Sequence, residues 1–208
     1  MLAFLIICSS CYSQDTVRLK HKNYTSVYSK SLRYPILVEW WETKSNTSCQ
    51  FKLGRKDNFT PDPLLKSETN VNSYYVGSGL DRGHMTPSAS NECDGIQVLN
   101  ECFYFSNIAP QYHVLNAGDW FQLEHLTRKI AQDKDSVHIW AGSIGVARKI
   151  GAVSVPTKCW KVYYVVKTKK YYAYIFNNSA EKQTGVKAHK VNKSDLEKLI
   201  KLKINNGL

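Results

Sequence analysis

The chain has 208 residues, 43 % hydrophobic and 22 % charged, and its 28 Lys plus Arg against 17 Asp plus Glu give a net charge of +11. Globular usage at this length excludes a disordered, collagen-like or coiled-coil chain and supports a core that needs no staples. No apolar run reaches the roughly 18 residues of a spanning helix, so stable membrane insertion is not expected, and the basic excess points to polyanionic partners: nucleic acid, anionic lipid or glycosaminoglycan.

Residues 1–7 are apolar and run into CSSCYSQ. This predicts a short secretory leader over 1–13, cut near Ser13–Gln14, and hence a secreted or periplasmic chain with one domain over 14–208. Cys49, Cys93, Cys102 and Cys159 are then left, which predicts two disulfides with three connectivities open. A Cys93–Cys102 pair would close a short loop. None of these spacings forms a CxxC knuckle, so zinc is not expected. Sequons starting at Asn23, Asn46, Asn58, Asn177 and Asn192 matter only in a eukaryotic source.

Along the chain, 34–41 (YPILVEWW) is dense in β-branched and aromatic residues and predicts a strand. Residues 51–67 mix Gly54, Pro61 and Pro63 with charges and predict a loop. Short extended stretches are expected over 71–76 and 103–105, with Gly77, Gly79 and Gly83 bracketing a tight turn. Trp120, Leu123, Leu126, Thr127 and Ile130 recur at three- and four-residue steps and predict a helix over 116–132. Strands follow over 137–141, 162–166 and 171–176, the last two joined by a turn at 167–170. Ser194-Asp195-Leu196-Glu197 reads as a capping box opening a C-terminal helix. Several strands around one long helix, without regular βαβ alternation, give an α+β class.

The most specific pattern is a series. Asp81-Arg82-Gly83-His84 is followed by Ser106-Asn107-Ile108-Ala109-Pro110-Gln111, then by Leu115-Asn116-Ala117-Gly118-Asp119-Trp120, with Leu123-Glu124 a turn later. In this order and with these gaps, the residues resemble the DNA/RNA non-specific endonuclease family, the ββα-metal nucleases. The resemblance covers roughly residues 51–161, including Val155-Pro156 and Trp160-Lys161. It implies a central, mostly antiparallel sheet flanked by helices, with a ββα-metal catalytic core. It further implies Mg²⁺-dependent hydrolysis of DNA and RNA to 5′-phosphate ends, with Mn²⁺ or another divalent ion as alternatives. A homodimer and a protein inhibitor are known in the family.

Residue by residue, the resemblance makes His84 the general base, a role suited to an imidazole whose ordinary pKa is about 6.5. It makes Asn116 the metal ligand, since a neutral amide oxygen suits Mg²⁺ that keeps most of its waters. Asn116 also reads as a helix N-cap. Glu124 lies about 12 Å further along the helix axis. It would therefore hold metal-bound waters rather than the ion. Asp81 would orient such a water or a neighbouring cation. Arg82 would hold phosphate or support its loop. Arg55 resembles an upstream phosphate-binding arginine, with Lys52, Lys56 and Arg33 as competitors. Asn107 would brace the site. Trp120 and Trp160 read as core. A second class of function, a non-enzymatic module binding polyanions, accounts for the charge but leaves the motif series unexplained.

Overall fold

The computed structural model describes residues 15–55, 57–67, 70–134 and 136–205. The expected leader lies outside them. A hairpin of β1 (Thr16–Lys20) and β2 (Tyr24–Ser29) leads into β3 (Tyr34–Thr43) and a single turn, α1 (Lys44–Thr47). After a long loop come β4 (Leu80–His84), α2 (Ile96–Glu101) and β5 (Ile108–Tyr112). Helix α3 opens with a π-helical turn, Leu115–Trp120, kinked at Gly118, and continues as Phe121–Lys134. The chain closes with β6 (Ser136–Ile144), β7 (Arg148–Ile150), β8 (Val153–Val155), β9 (Lys158–Val165), β10 (Lys170–Asn177), β11 (Lys190–Val191) and α4 (Lys193–Ile200).

Seven strands form one sheet in the order β1-β2-β3-β6-β9-β10-β11. Every neighbouring pair in it is antiparallel. Strand parity sorts its side chains onto two faces. Val137, Ile139 and Ala141 of β6, with Cys159, Tyr163 and Val165 of β9, pack under Trp120 and Leu123 of α3. Trp140, Trp160, Val162 and Tyr164 face the other way, against Leu196 and Ile200 of α4. A third cluster, including Phe59, Phe103, Phe105, Leu80 and Ile108, lies behind the separate β4–β5 pair. The α+β class and the predicted strands of the large sheet are therefore present, and Trp120 and Trp160 are core, both almost fully buried.

Two expected extended stretches are not strands. Residues 71–76 hold a 3₁₀ turn, Asn72–Tyr74, because Tyr74 N and Tyr75 N bond back to Val71 O and Asn72 O. Around 103–105 the amides also bond backwards, Phe103 N to Asn100 O and Tyr104 N to Glu101 O. Only a single parallel bridge, Tyr104 to Thr60, marks the site of the expected strand. Phe103 and Phe105 are fully buried, but no neighbouring strand runs alongside them. The capping box does not form. Helix α4 starts at Lys193, before Ser194, and Asn192 at its N-cap position makes no side-chain capping bond, while Glu197 pairs with Lys193 at 2.7 Å and accepts the Ile204 amide at 2.8 Å, so it secures the far end of the helix.

One disulfide, Cys49–Cys93, forms among the described residues, with Cα atoms 5.5 Å apart. Cys102 and Cys159 are free and buried. This corrects the expectation of two bridges and of a Cys93–Cys102 loop. Cys102 sits with Phe103 and Leu99, and Cys159 lies on the large sheet, where Gln111 Nε2 donates to its sulfur. The bridge anchors the segment that carries Arg55, as does the bond from Leu53 N to Glu92 O. The Cys49→Ser/Cys93→Ser variant is expected to be about 2–4 kcal/mol less stable, since the bridge closes a 44-residue separation. Urea unfolding with and without reductant checks this: reductant should bring the wild type down to the variant and leave the variant unmoved. No helix among the described residues is long and apolar enough to cross a membrane.

Candidate active site

The motif series folds into two short strands and a helix. Strand β4 is LDRGH and β5 is IAPQY, paired antiparallel with Asp81 opposite Gln111, Gly83 opposite Ala109 and His84 opposite Ile108. Gly83 was expected in a turn but lies inside β4. Its lack of a side chain is required there, because a Cβ would fall 2.0 Å from Gln111 Oε1 and 2.7 Å from Gln111 Cγ. Gln111 is fully buried and bonded to Cys159, so it has little room to yield. The turn itself is made by Gly77 and Gly79, both at positive φ.

Three bonds tie the strands to their surroundings. Trp120 Nε1 donates to His84 O at 3.1 Å, which fastens α3 to the end of β4. Asn107 Oδ1 accepts the Thr86 amide at 3.0 Å, and its Nδ2 donates to Thr86 O and Cys102 O at 2.9 and 2.7 Å. Asn107 is wholly buried and braces the chain just past His84. It does not reach the cleft.

In front of this frame is a cleft of about 300 Å³. Arg55, Asp81, Arg82 and Asn116 line it, together with Phe59 and His113. Arg82 Nη1 donates to Asn72 Oδ1 at 2.9 Å, and its guanidinium lies 4.3 Å over the Phe59 ring. Arg55 is held by Asp57, Nε to Oδ1 2.6 Å. Among the described residues weighed for this position, Arg55 is on the cleft wall and Lys52 and Arg33 are not. Lys56 lies outside the described residues.

His84 is 8 % exposed. Its ring stands between Phe59 and Phe103, at centroid distances of 5.3 and 5.0 Å, and its Nε2 is buried without a partner. Burial first, then the charges of Arg55 and Arg82, push its pKa down to about 3, against an opposing pull from Asp57. The imidazole is therefore neutral throughout the physiological range, well below the ordinary value expected from sequence.

Asn116 is not an N-cap. Val114 occupies that position, and Asn116 Nδ2 donates instead to Asp81 Oδ2 at 2.8 Å. This bond leaves the Asn116 amide oxygen as an acceptor on a residue that lines the cleft. Among the described residues no three His, Cys, Asp or Glu side chains group to hold a metal. A hard cation that keeps its waters needs no such cage, and one amide oxygen beside a carboxylate fits it.

Glu124 sits deeper, beneath α3. It is not on the cleft wall. Its carboxylate meets Lys161 at 3.5 Å, and Lys161 Nζ lies 4.0 Å over the Trp120 ring. Lys161 shares its strand parity with Cys159 and Tyr163, so β9 delivers a lysine to the underside of α3, and that charge captures Glu124. Burial raises the pKa of Glu124 and lowers that of Lys161, each opposed by the other's charge. Phe59, His113 and Lys161 are the residues that sequence reasoning gave no role. The only available signal was position: His113 stands three residues before Asn116, and Lys161 follows Trp160 in the last segment of the resemblance.

The DNA/RNA non-specific endonuclease family matches residues 7–208. The chain is 30 % identical to the nuclease of Serratia marcescens over 218 aligned positions, covering 97 % of this chain and 79 % of that one. It is 32 % identical to the mitochondrial nuclease EXOG of Xenopus laevis over 159 residues, covering 69 % of this chain but only 44 % of the relative's length. A chain in the crystal structure of the EndoG/EndoGI complex, which addresses EndoG inhibition, shares the fold with a TM-score of 0.81 at 24 % identity. That match covers 90 % of this chain and 84 % of the other. The chain belongs to the DNA/RNA non-specific endonuclease family.

Proposed function

We propose that this chain hydrolyses phosphodiester bonds of DNA and RNA as a Mg²⁺-dependent, sugar-non-specific endonuclease that leaves 5′-phosphate ends. The observation that carries the reading is the cleft itself: two guanidiniums and the Asp81–Asn116 pair line it, and His84 lies behind its Phe59 wall, close enough for the charges of Arg55 and Arg82 to bear on the imidazole. Arg55 and Arg82 clamp the scissile phosphate and offset the charge that grows on it in the transition state. The His84 imidazole takes the proton of the attacking water, while the Phe59 and Phe103 rings keep bulk water from it. Asn116 supplies the amide oxygen for the divalent ion, oriented by Asp81. When bound, that ion supplies charge stabilisation of the developing oxyanion and of the leaving oxygen. Asn107 acts through the backbone at Thr86, and Glu124 acts through Lys161 beneath Trp120. Contacts confined to phosphates carry no sequence information, so binding is expected to be salt-sensitive and indifferent to sequence.

Secretion or periplasmic export is part of the proposal, supported by the Cys49–Cys93 bridge and the apolar first residues. A homodimer and a proteinaceous inhibitor are included on the strength of the family alone. The test uses supercoiled plasmid and RNA with Mg²⁺ or EDTA. Wild type should cut both polymers only with Mg²⁺. Asn116→Ala should raise the Mg²⁺ concentration needed by at least about tenfold. Folded wild type that cuts neither polymer with Mg²⁺ or Mn²⁺, yet binds both in EDTA, would replace this reading with the polyanion-binding module.

A further inference from the structure

The wall of the cleft that holds Arg82 is the segment from Asn72 to Leu80. Asn72 takes Arg82 Nη1 at 2.9 Å, and Tyr75, Val76 and Leu80 line the cleft beside it. Between Val76 and Leu80 the chain runs Gly77-Ser78-Gly79. The Ser78 hydroxyl is turned back, donating to Tyr75 O at 2.7 Å and accepting the Leu80 amide at 3.1 Å. This rim therefore raises no side chain above its backbone. Beyond it stands a third guanidinium: Arg148 Nη2 donates to Ser78 O at 3.0 Å. Ser78 is two residues from Val76 and from Leu80, so it lies within about 7.6 Å, Cα to Cα, of two residues of the cleft wall. Strand β7 delivers Arg148 there by parity. Ile150 is buried in the cluster with Phe59 and Leu80, so Arg148 shares that side of β7, while Lys149 faces the other way. The hairpin turn is pressed against the same wall, since a Cβ on Gly151 would fall 2.3 Å from Tyr74 Cδ1. Arg148 is exposed, and among the described residues no carboxylate bonds to it. One of its five N–H groups serves Ser78 O, which leaves the others for an anion.

We propose that the nucleic-acid track leaves the cleft across the bare Gly77–Gly79 rim, and that Arg148 binds the phosphate of a flanking nucleotide there. The inference rests on the nuclease reading for the polymer and adds a contact outside the cleft. Phosphates repeat every ~3.4 Å along each strand of a duplex, so a polymer clamped by Arg55 and Arg82 carries further phosphates over the rim. A guanidinium already oriented by a backbone carbonyl gives up little freedom in taking one of them.

The test measures binding apart from cutting. A fluorescein-labelled DNA duplex of roughly 20 base pairs is titrated in EDTA at several salt concentrations, with Arg148→Gln, Arg148→Lys and Lys149→Gln beside wild type. Glutamine keeps an N–H for Ser78 O and loses the charge. Loss of one phosphate contact should make the dependence of log Kd on log salt shallower by about 0.9 in Arg148→Gln, and weaken binding at least about threefold at low salt. Lys149→Gln makes the same change in net charge on the other side of β7 and should hold the wild-type slope. Arg148→Lys should restore most of it. In plasmid cleavage with Mg²⁺, the Arg148→Gln defect should fall on KM rather than kcat. Equal slopes in Arg148→Gln and Lys149→Gln overturn the inference, because the charge would then act only through the general field. A defect that Arg148→Lys does not relieve, or one in kcat with the slope unmoved, also overturns it and leaves Arg148 as a brace for Ser78. Any of these results with a wild type that cuts plasmid removes this inference alone. A wild type that does not cut removes the nuclease and its extended track together.

Discussion

His84→Ala is expected to slow plasmid cleavage by about 10²–10⁴-fold, the usual contribution of a positioned general base. Polyanion binding should survive, because Arg55 and Arg82 remain on the cleft wall. The pH dependence discriminates further. An imidazole of ordinary pKa would give an acid limb in kcat/KM near pH 6.5. The burial between Phe59 and Phe103, helped by Arg55 and Arg82, pushes His84 to about 3, so the limb assigned to His84 in the free enzyme should lie far below that. The same shift has a consequence for stability. The folded pKa is below the unfolded one, so between pH 6.5 and about 3 the unfolded chain takes up a proton that the folded chain refuses. This contribution is complete at neutral pH and is lost as pH falls, with a slope of up to about 1.4 kcal/mol per pH unit. His84→Gln should have a shallower acid decline than wild type in urea titrations across that window. Asp62, Glu39 and Glu197, whose pKa values are also held down, decline alike in both proteins, so the difference isolates His84. An acid limb near 6.5, with no difference in slope, would contradict the buried neutral imidazole.

The sequence exposes the two motif-bearing strands and the helix because their chemistry is local. Gly83 beside His84, the Pro110-Gln111 pair and Asn116 at the start of α3 all stand within 34 positions and fold into adjacent elements. The large sheet is less uniformly legible. β3, β6, β9 and β10 carry bulky residues on both faces and read as strands, but β1 and β2 alternate Val, Leu and Tyr with Arg, Lys and Ser, a pattern too weak to claim alone. What depends on distant pairing is not legible at all. Cys93 lies nine residues before Cys102 yet bonds to Cys49, because the loop after β3 returns alongside the segment before α2. Phe59 sits in a segment expected to be loop, and its role as the ring between Arg82 and His84 arises only when that loop folds over β4. The Glu124–Lys161 contact is hidden for the same reason. Helix geometry correctly places Glu124 eight residues after Asn116, but its partner comes from a strand 37 residues further on.

Lys161→Met is expected to cost about 3–5 kcal/mol, the usual penalty for removing one member of a buried ion pair. Four charges lie together beneath α3: Glu42 and Glu124 against Lys161 and Arg128, all buried. The group balances two carboxylates with two cations, which is what makes its burial tolerable. Glu42 is further satisfied by the Ser90 hydroxyl at 2.5 Å. Methionine would fill the volume but leave two carboxylates facing one guanidinium. Burial already raises the pKa of Glu42 and of Glu124, and loss of Lys161 raises both further. A carboxyl whose folded pKa exceeds its unfolded value stabilises most at low pH and loses that contribution as pH rises from the unfolded to the folded value. The deficit of Lys161→Met should therefore be smallest near pH 4–5 and grow toward neutrality. Glu124→Gln in the same background removes the surplus charge, so the double variant should be more stable than Lys161→Met alone, with a coupling of about 1–3 kcal/mol in a double-mutant cycle. Additive costs would show that Lys161 is held by the Trp120 and Trp40 rings and not by Glu124. The cluster matters to the cleft because Trp120, which covers Lys161, also holds His84 O, and the same helix carries Asn116. Loosening the charge balance under α3 should therefore lower kcat at full occupancy of nucleic acid, even at temperatures where Lys161→Met is still folded.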